Sequence, residues 1–270
     1  MLDRIQRWLS IDAMLPATER LGPVGTTKQM YGNYLKIAWP ATLQGLMLQF
    51  MTAIDLAMVG ALGASALASV GIMGQPEMVM LIFCRALSIA VTAIIARRHG
   101  ESEVDGMNAV LKQSILLNFL IYAPLLAICF FNLEHILRFT GAEDGYIETA
   151  VWYGRFVVIS LIFQSFSQIV GAALIGYGNT KVIFKSNVVG NILNTIMNFF
   201  LIYGIGFFPE LGVMGAGVST MISSAVIALL LLRTISQHTT TGLTLRHPSK
   251  WKFERTVLHT MFHVGGSSLG

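Results

Sequence analysis

The stretch VLKQSILLNFLIYAPLLAICFF, residues 110–131, decides what kind of protein this is. A hydrocarbon core about 30 Å thick is crossed by about 20 apolar residues in a helix. This run has that length, with Lys112 as its only charge. Runs of similar size lie near 36–60, 67–96, 149–172, 183–204 and 213–234, and a further one begins near Val257 and reaches Gly270. They are too long for buried strands and lack the two-residue alternation of an outer-membrane barrel. The sequence therefore predicts an all-α integral membrane protein, a six-helix transmembrane bundle followed by the start of a seventh helix.

Composition points the same way. Of the 270 residues 12% are charged and 54% hydrophobic, against roughly 25% charged in a soluble domain, and the mean hydropathy is +0.66. A water-exposed surface is hard to build from so few charges, and disorder needs the opposite balance. Cys84 and Cys129 stand alone inside apolar runs, so neither a disulfide framework nor a zinc site is indicated. The excess of positive charge, +4, lies in the polar gaps between apolar runs; that reads as a topology signal, and no nucleic-acid partner is expected. With the N-terminus in the cytoplasm, 15 of the 18 Lys and Arg fall inside, including Arg97, Arg98, Lys181 and Lys185, as the positive-inside rule requires. A bacterial inner, or plasma, membrane is the expected location.

The same reading divides the chain. Residues 1–33 form a cytoplasmic N-terminal segment in which Met1, Leu2, Ile5, Trp8 and Leu9 share a face, as in a surface amphipathic helix. Residues 34–234 make the six-helix lobe, 235–256 a polar and basic cytoplasmic linker, and 257–270 a truncated start of a seventh helix. A chain stopping within a span is expected to be partial.

Polar groups inside the spans carry the functional signal. Asp55 lies in the first span, where an aspartate costs roughly 2.5–3.5 kcal/mol at a helix centre. A carboxyl there takes up a proton or, ionised, holds a small cation such as Na+ with neighbouring oxygens; a helix-end residue open to outside water is the plain alternative. Asn187, Asn191, Asn194 and Asn198 recur at i, i+4, i+7 and i+11, one helical stripe, facing protein or a water-filled cavity or acting as interhelical glue. Gln44 shares the face of Asp55, Thr52 is close by, and Gln164 and Gln168 are one turn apart in the fourth span. Gln44, Thr52, Gln168, Asn187 and Asn191 are thus candidates to line a substrate cavity. Glu77 has Arg85 two turns on as one potential partner, or lines a cavity unpaired. GVMGAG (212–217) has no βαβ context and reads as close helix packing. No nucleophile, metal set or intramembrane histidine pair supports an enzyme, and no cofactor is expected.

Several segments resemble the multidrug and toxic compound extrusion (MATE) transporters. AIDLAMVGALG (53–63) is similar to the family's first helix, and ALSIAVTAIIARRHGE (86–101) to the end of the second. GYGNTKVIFKSNVVGNILNTIMNFFLIYG (176–204) with PELGVMGAGVSTMIS (209–223) is the most specific stretch. The resemblance covers about residues 30–235. It implies the first lobe of a twelve-helix, two-lobe transporter that exports amphipathic organic cations in exchange for H+ or Na+ by alternating access. Asp55 then matches the first-helix carboxylate of the coupling site, Asn194 a fifth-helix asparagine and Thr220 a sixth-helix threonine. Asn198 stands where some members carry aspartate, so the coupling ion stays open. The lipid bilayer, a small amphipathic or cationic substrate and a missing C-terminal lobe, or a second copy, are the partners implied. The alternatives are a lipid-linked precursor flippase of the same superfamily, disfavoured because only Arg85 is a clear intramembrane cation, and a non-transporting membrane scaffold.

Overall fold

A computed structural model describes residue 42, residues 45–46, 49–237 and 242–246. The described residues from Phe50 onward form a compact unit of their own. The residues described before it, such as Thr42 and Gln49, are helical. The N-terminal segment, Gln44 and the start of the seventh span lie outside the described residues.

Seven helices and no strand appear among the described residues: α1 (Gln49–Gly60), α2 (Ala64–Gly100), α3 (Val104–Phe131), α4 (Leu133–Phe139), α5 (Ile147–Gly176), α6 (Thr180–Tyr203) and α7 (Val213–Ser236). Four of them, α2, α3, α5 and α7, are long and apolar enough to cross a membrane. At 24 residues α6 has the length, but its four asparagines lower its hydropathy. The described part of α1 is shorter. The short helix α4 was not anticipated. It is held to the turn before α5 by Arg138, whose guanidinium donates to Glu134 at 3.1 Å and Asp144 at 2.7 Å. The two carboxylates keep that guanidinium still more firmly protonated than usual. The pair network is solvent-exposed, so it orders the loop without adding much stability.

The bundle is organised around α5, which packs against α2, α3 and α7, while α6 packs on α7. Its core is aliphatic, with Ile95, Leu111, Leu161, Ile169 and Leu174 almost wholly buried. Thr92 ties α2 to α5 by donating to the carbonyl of Ala172 at 3.1 Å. The GVMGAG segment does what its glycines suggest. A Cβ at Gly215 would meet the Leu201 carbonyl oxygen at 2.6 Å, so α7 approaches α6 at backbone distance only because the side chain is absent. Further along the same pair, a Cβ at Gly190 would overlap the side chain of Ile227.

The linker after α7 is anchored in its middle. Asn108 Nδ2 donates to the Gly242 carbonyl at 3.0 Å, and the Thr244 N–H donates back to Asn108 Oδ1 at 2.7 Å. Leu243 and Thr244 are buried as a result. Polar composition predicted a connector, and the fold pins part of it to the N-terminal turn of α3.

Candidate functional site

Asp55 and Val59 sit one turn apart on α1. Val59 is buried against Ala66, Ile202, Val213 and Ala216, and the packing of that face turns the Asp55 carboxyl toward α6. Tyr203, in the last turn of α6, fixes the crossing by donating its hydroxyl to the Met58 carbonyl at 3.0 Å. The local order is therefore set by apolar burial, which places the Asp55 carboxyl where two asparagines wait.

Asn198 Nδ2 donates to Asp55 Oδ1 at 2.9 Å. Its own Oδ1 is buried without a partner. Asn194, one turn earlier, presents its amide to the second carboxylate oxygen. With its nitrogen toward the carboxylate it donates to Asp55 Oδ2 at 3.0 Å while its oxygen accepts from the Thr220 N–H at 3.2 Å. Turned over, its nitrogen donates to Ser223 Oγ at 3.4 Å and its oxygen accepts from Asn198 Nδ2 at 3.3 Å. The second orientation sets an amide oxygen 3.0 Å from Asp55 Oδ2, a contact between two acceptors unless Asp55 carries a proton. The first orientation satisfies both ends of the amide with Asp55 ionised. The orientation with its nitrogen toward the carboxylate is therefore the one Asn194 takes beside ionised Asp55.

Thr220 reaches this network through its backbone. Its hydroxyl donates to the Ala216 carbonyl at 2.9 Å, the usual local bond of threonine in a helix. Asp55, Asn194, Asn198 and the backbone of Thr220 come together where α1, α6 and α7 meet. Thr52 lies on an exposed part of α1. Tyr153 of α5 was not anticipated: it packs against the apolar cluster around Val59 that orients Asp55. At the head of an apolar run a tyrosine reads as an interfacial anchor, and only packing shows otherwise. Among the described residues no ion pair joins Glu77 to Arg85.

The other half of the stripe is elsewhere. Asn187 and Gln168 line a separate cavity of about 320 Å³, together with Ser88 and Thr92 of α2, Ser167 and Gly171 of α5, and Leu231 of α7. Asn191 is half-buried between the two places. The buried row of α6 is Ser186, Gly190, Asn194 and Asn198, so helix packing rotates Asn187 and Asn191 off the line that meets Asp55.

Among the described residues no three His, Cys, Asp or Glu side chains gather. One carboxylate with amide and hydroxyl oxygens suits a proton or a hard monovalent cation, in contrast to the nitrogen and sulfur sets of transition metals.

Residues 40–200 match the MatE family model. The chain is 26% identical over 205 residues to the multidrug resistance protein NorM of Vibrio cholerae, covering 76% of this chain and 45% of that protein. It is 25% identical to the uncharacterized transporter YisQ of Bacillus subtilis, covering 88% and 52%. Among solved structures, a multidrug resistance MATE family transporter in its outward-facing conformation superimposes with a TM-score of 0.78 at 23% identity, covering 87% of this chain and 51% of that one. The chain spans about half the length of the curated relatives it matches.

Proposed function

The chain belongs to the MatE family, and from that premise we propose that it is one lobe of a secondary transporter. The complete transporter expels amphipathic organic cations in exchange for H+ or Na+ by alternating access. Its place is the bacterial inner membrane, with the N-terminus in the cytoplasm. A facing lobe, on the same polypeptide or from a second copy, completes the cleft.

The observation that carries this reading is the hydrogen bond from Asn198 to Asp55 at 2.9 Å, with the Asn194 amide nitrogen donating to the other carboxylate oxygen at 3.0 Å. Ionised, Asp55 is held by two N–H donors, one from each asparagine. Charge-assisted bonds of that kind are the strong ones, and they tie α1 to α6. Protonated, Asp55 donates its O–H to Asn194 Oδ1. The Asn194 nitrogen then turns to Ser223, and the draw of the carboxylate on Asn198 weakens. Sodium in place of the proton is bound through carboxylate oxygen and the buried Asn198 Oδ1. Either ion changes how firmly α1 is fastened to α6, which supplies the differential interaction that any ion-driven conformational change requires.

Asp55→Asn in the complete gene product keeps the hydrogen-bonding shape and removes the titratable, ion-binding group. Ethidium efflux driven by an imposed proton or sodium gradient is expected to fall to the level of empty vesicles, with expression unchanged. Full gradient-driven efflux by that variant refutes the coupling role.

A further inference from the structure

At the end of the bundle where α3 finishes and α5 begins, Arg155 sits in the third turn of α5. Among the described residues no carboxylate pairs with it. Its guanidinium is stacked instead, 5.0 Å from the Trp152 ring centroid and 5.8 Å from that of Phe130. Stacking holds the plane of the guanidinium and leaves its N–H edge for a partner. Nε is enclosed by the packing, so the terminal nitrogens are the ones a ligand can reach. Beside them is a cavity of about 190 Å³, lined by Glu134, Ile147, Glu148, Val151, Trp152 and Arg155. Glu134 is already bonded to Arg138 at 3.1 Å. Glu148 is exposed and has no ion-pair partner among the described residues.

A cation inside an apolar helix is costly unless an anion meets it. Two carboxylates on the same cavity disfavour a simple anion, and Arg155 repels a simple cation. A zwitterion satisfies both. The order of the charges along α5 narrows the choice. Glu148 is in the first turn and Arg155 two turns deeper on the same face, at i and i+7. Large aromatic side chains are exposed at this end, with Phe131 at 82%, Phe139 at 92% and Trp152 at 43%, as suits the headgroup level of a bilayer. A phosphoethanolamine lipid standing in its leaflet carries its charges in the same order, ammonium outermost, phosphate below it and acyl chains deepest. The geometry points to a site for the headgroup of phosphatidylethanolamine, with its phosphate on the Arg155 guanidinium and its ammonium at Glu148. A soluble zwitterion has the same charges but no chains to fix which end lies deeper.

Native mass spectrometry of the purified full-length protein, delipidated in detergent and titrated with phosphatidylethanolamine or phosphatidylglycerol, tests this in the first lipid adduct. Wild type is expected to hold phosphatidylethanolamine about tenfold more tightly, although phosphatidylglycerol carries the net negative charge. Glu148→Gln is expected to bring the two lipids within about twofold of each other, and Arg155→Gln to weaken both about tenfold. Equal affinity for the two lipids in wild type overturns the site, as does an unchanged preference in Glu148→Gln or unchanged binding in Arg155→Gln. Glycerophosphoethanolamine, the same headgroup without chains, is expected to compete only at concentrations about a hundredfold higher or more. Competition at concentrations equal to the lipid's overturns the assignment to a lipid and leaves a site for a soluble zwitterion. If Arg155→Gln does not fold, Glu148→Gln, a change of an exposed side chain, decides alone. None of these readouts involves transport, so the coupling role of Asp55 and this site fail independently.

Discussion

The two ends of α6 carry the same residue type at the same helical spacing and meet different chemistry. At one end Asn194 and Asn198 face Asp55, which α1 delivers. At the other, Asn187 faces neutral hydroxyls and an amide from α2 and α5. Between them Gly190 packs directly on Ile227, which closes α6 on α7 and separates the two. An asparagine in a membrane helix has no fixed role; the group that the neighbouring helix sets opposite decides whether it meets a carboxylate or neutral side chains.

That contrast can be broken in graded steps. The largest effect belongs to Asp55→Asn, with gradient-driven efflux abolished. Next is Asn198→Leu, which removes a charge-assisted hydrogen bond worth about 1.5–3 kcal/mol and leaves the carboxylate with fewer donors. Counterflow assays in proteoliposomes are expected to show roughly a tenfold rise in the ion concentration needed for half-maximal rate, and an unchanged value would remove Asn198 from the site.

Gly190→Val probes the partition itself. Overlap with Ile227 is expected to cost about 1–3 kcal/mol through overpacking, seen as a lower midpoint in a thermal-shift assay with a thiol-reactive dye. A variant as stable as wild type would mean that α6 and α7 are not in close contact there. Asn187→Leu should leave the ion dependence of cation efflux within about twofold, because it makes no bond to the Asp55 network. A tenfold change would merge the two ends into one functional stripe. The smallest effect on transport is expected from Asn108→Leu. It frees Gly242–Arg246 and should speed tryptic cleavage after Arg246 several-fold, while transport rates stay near those of wild type.

Much of the molecule was legible in its residues. The run at 110–131 and its siblings forced helices of membrane length, and the glycines of GVMGAG predicted close packing. Asp55 stood out because a carboxylate in an apolar run is hard to explain by structure alone. The stripe was legible only as a stripe. Periodicity of 3.6 places Asn187 and Asn198 eleven residues apart within the same broad face, but it cannot resolve the small rotation that puts Asn194 on the buried row and Asn187 beside it. Tyr153 was invisible for a related reason: the packing of α5 brings it against the Val59 cluster beside Asp55, and no local pattern records that.

The sequence by itself determined the class, the helices, the costly carboxylate of Asp55 and the amides that could serve it, since these follow from hydropathy and the cost of polar groups in lipid. Only the tertiary structure decided which amides meet Asp55, that Thr220 takes part through its backbone, that the linker is pinned by Asn108, and that a second, uncharged cavity exists. Those facts depend on the relative rotation of helices packed through small residues, and a rotation of part of a turn exchanges one neighbour for another without changing a letter of the chain.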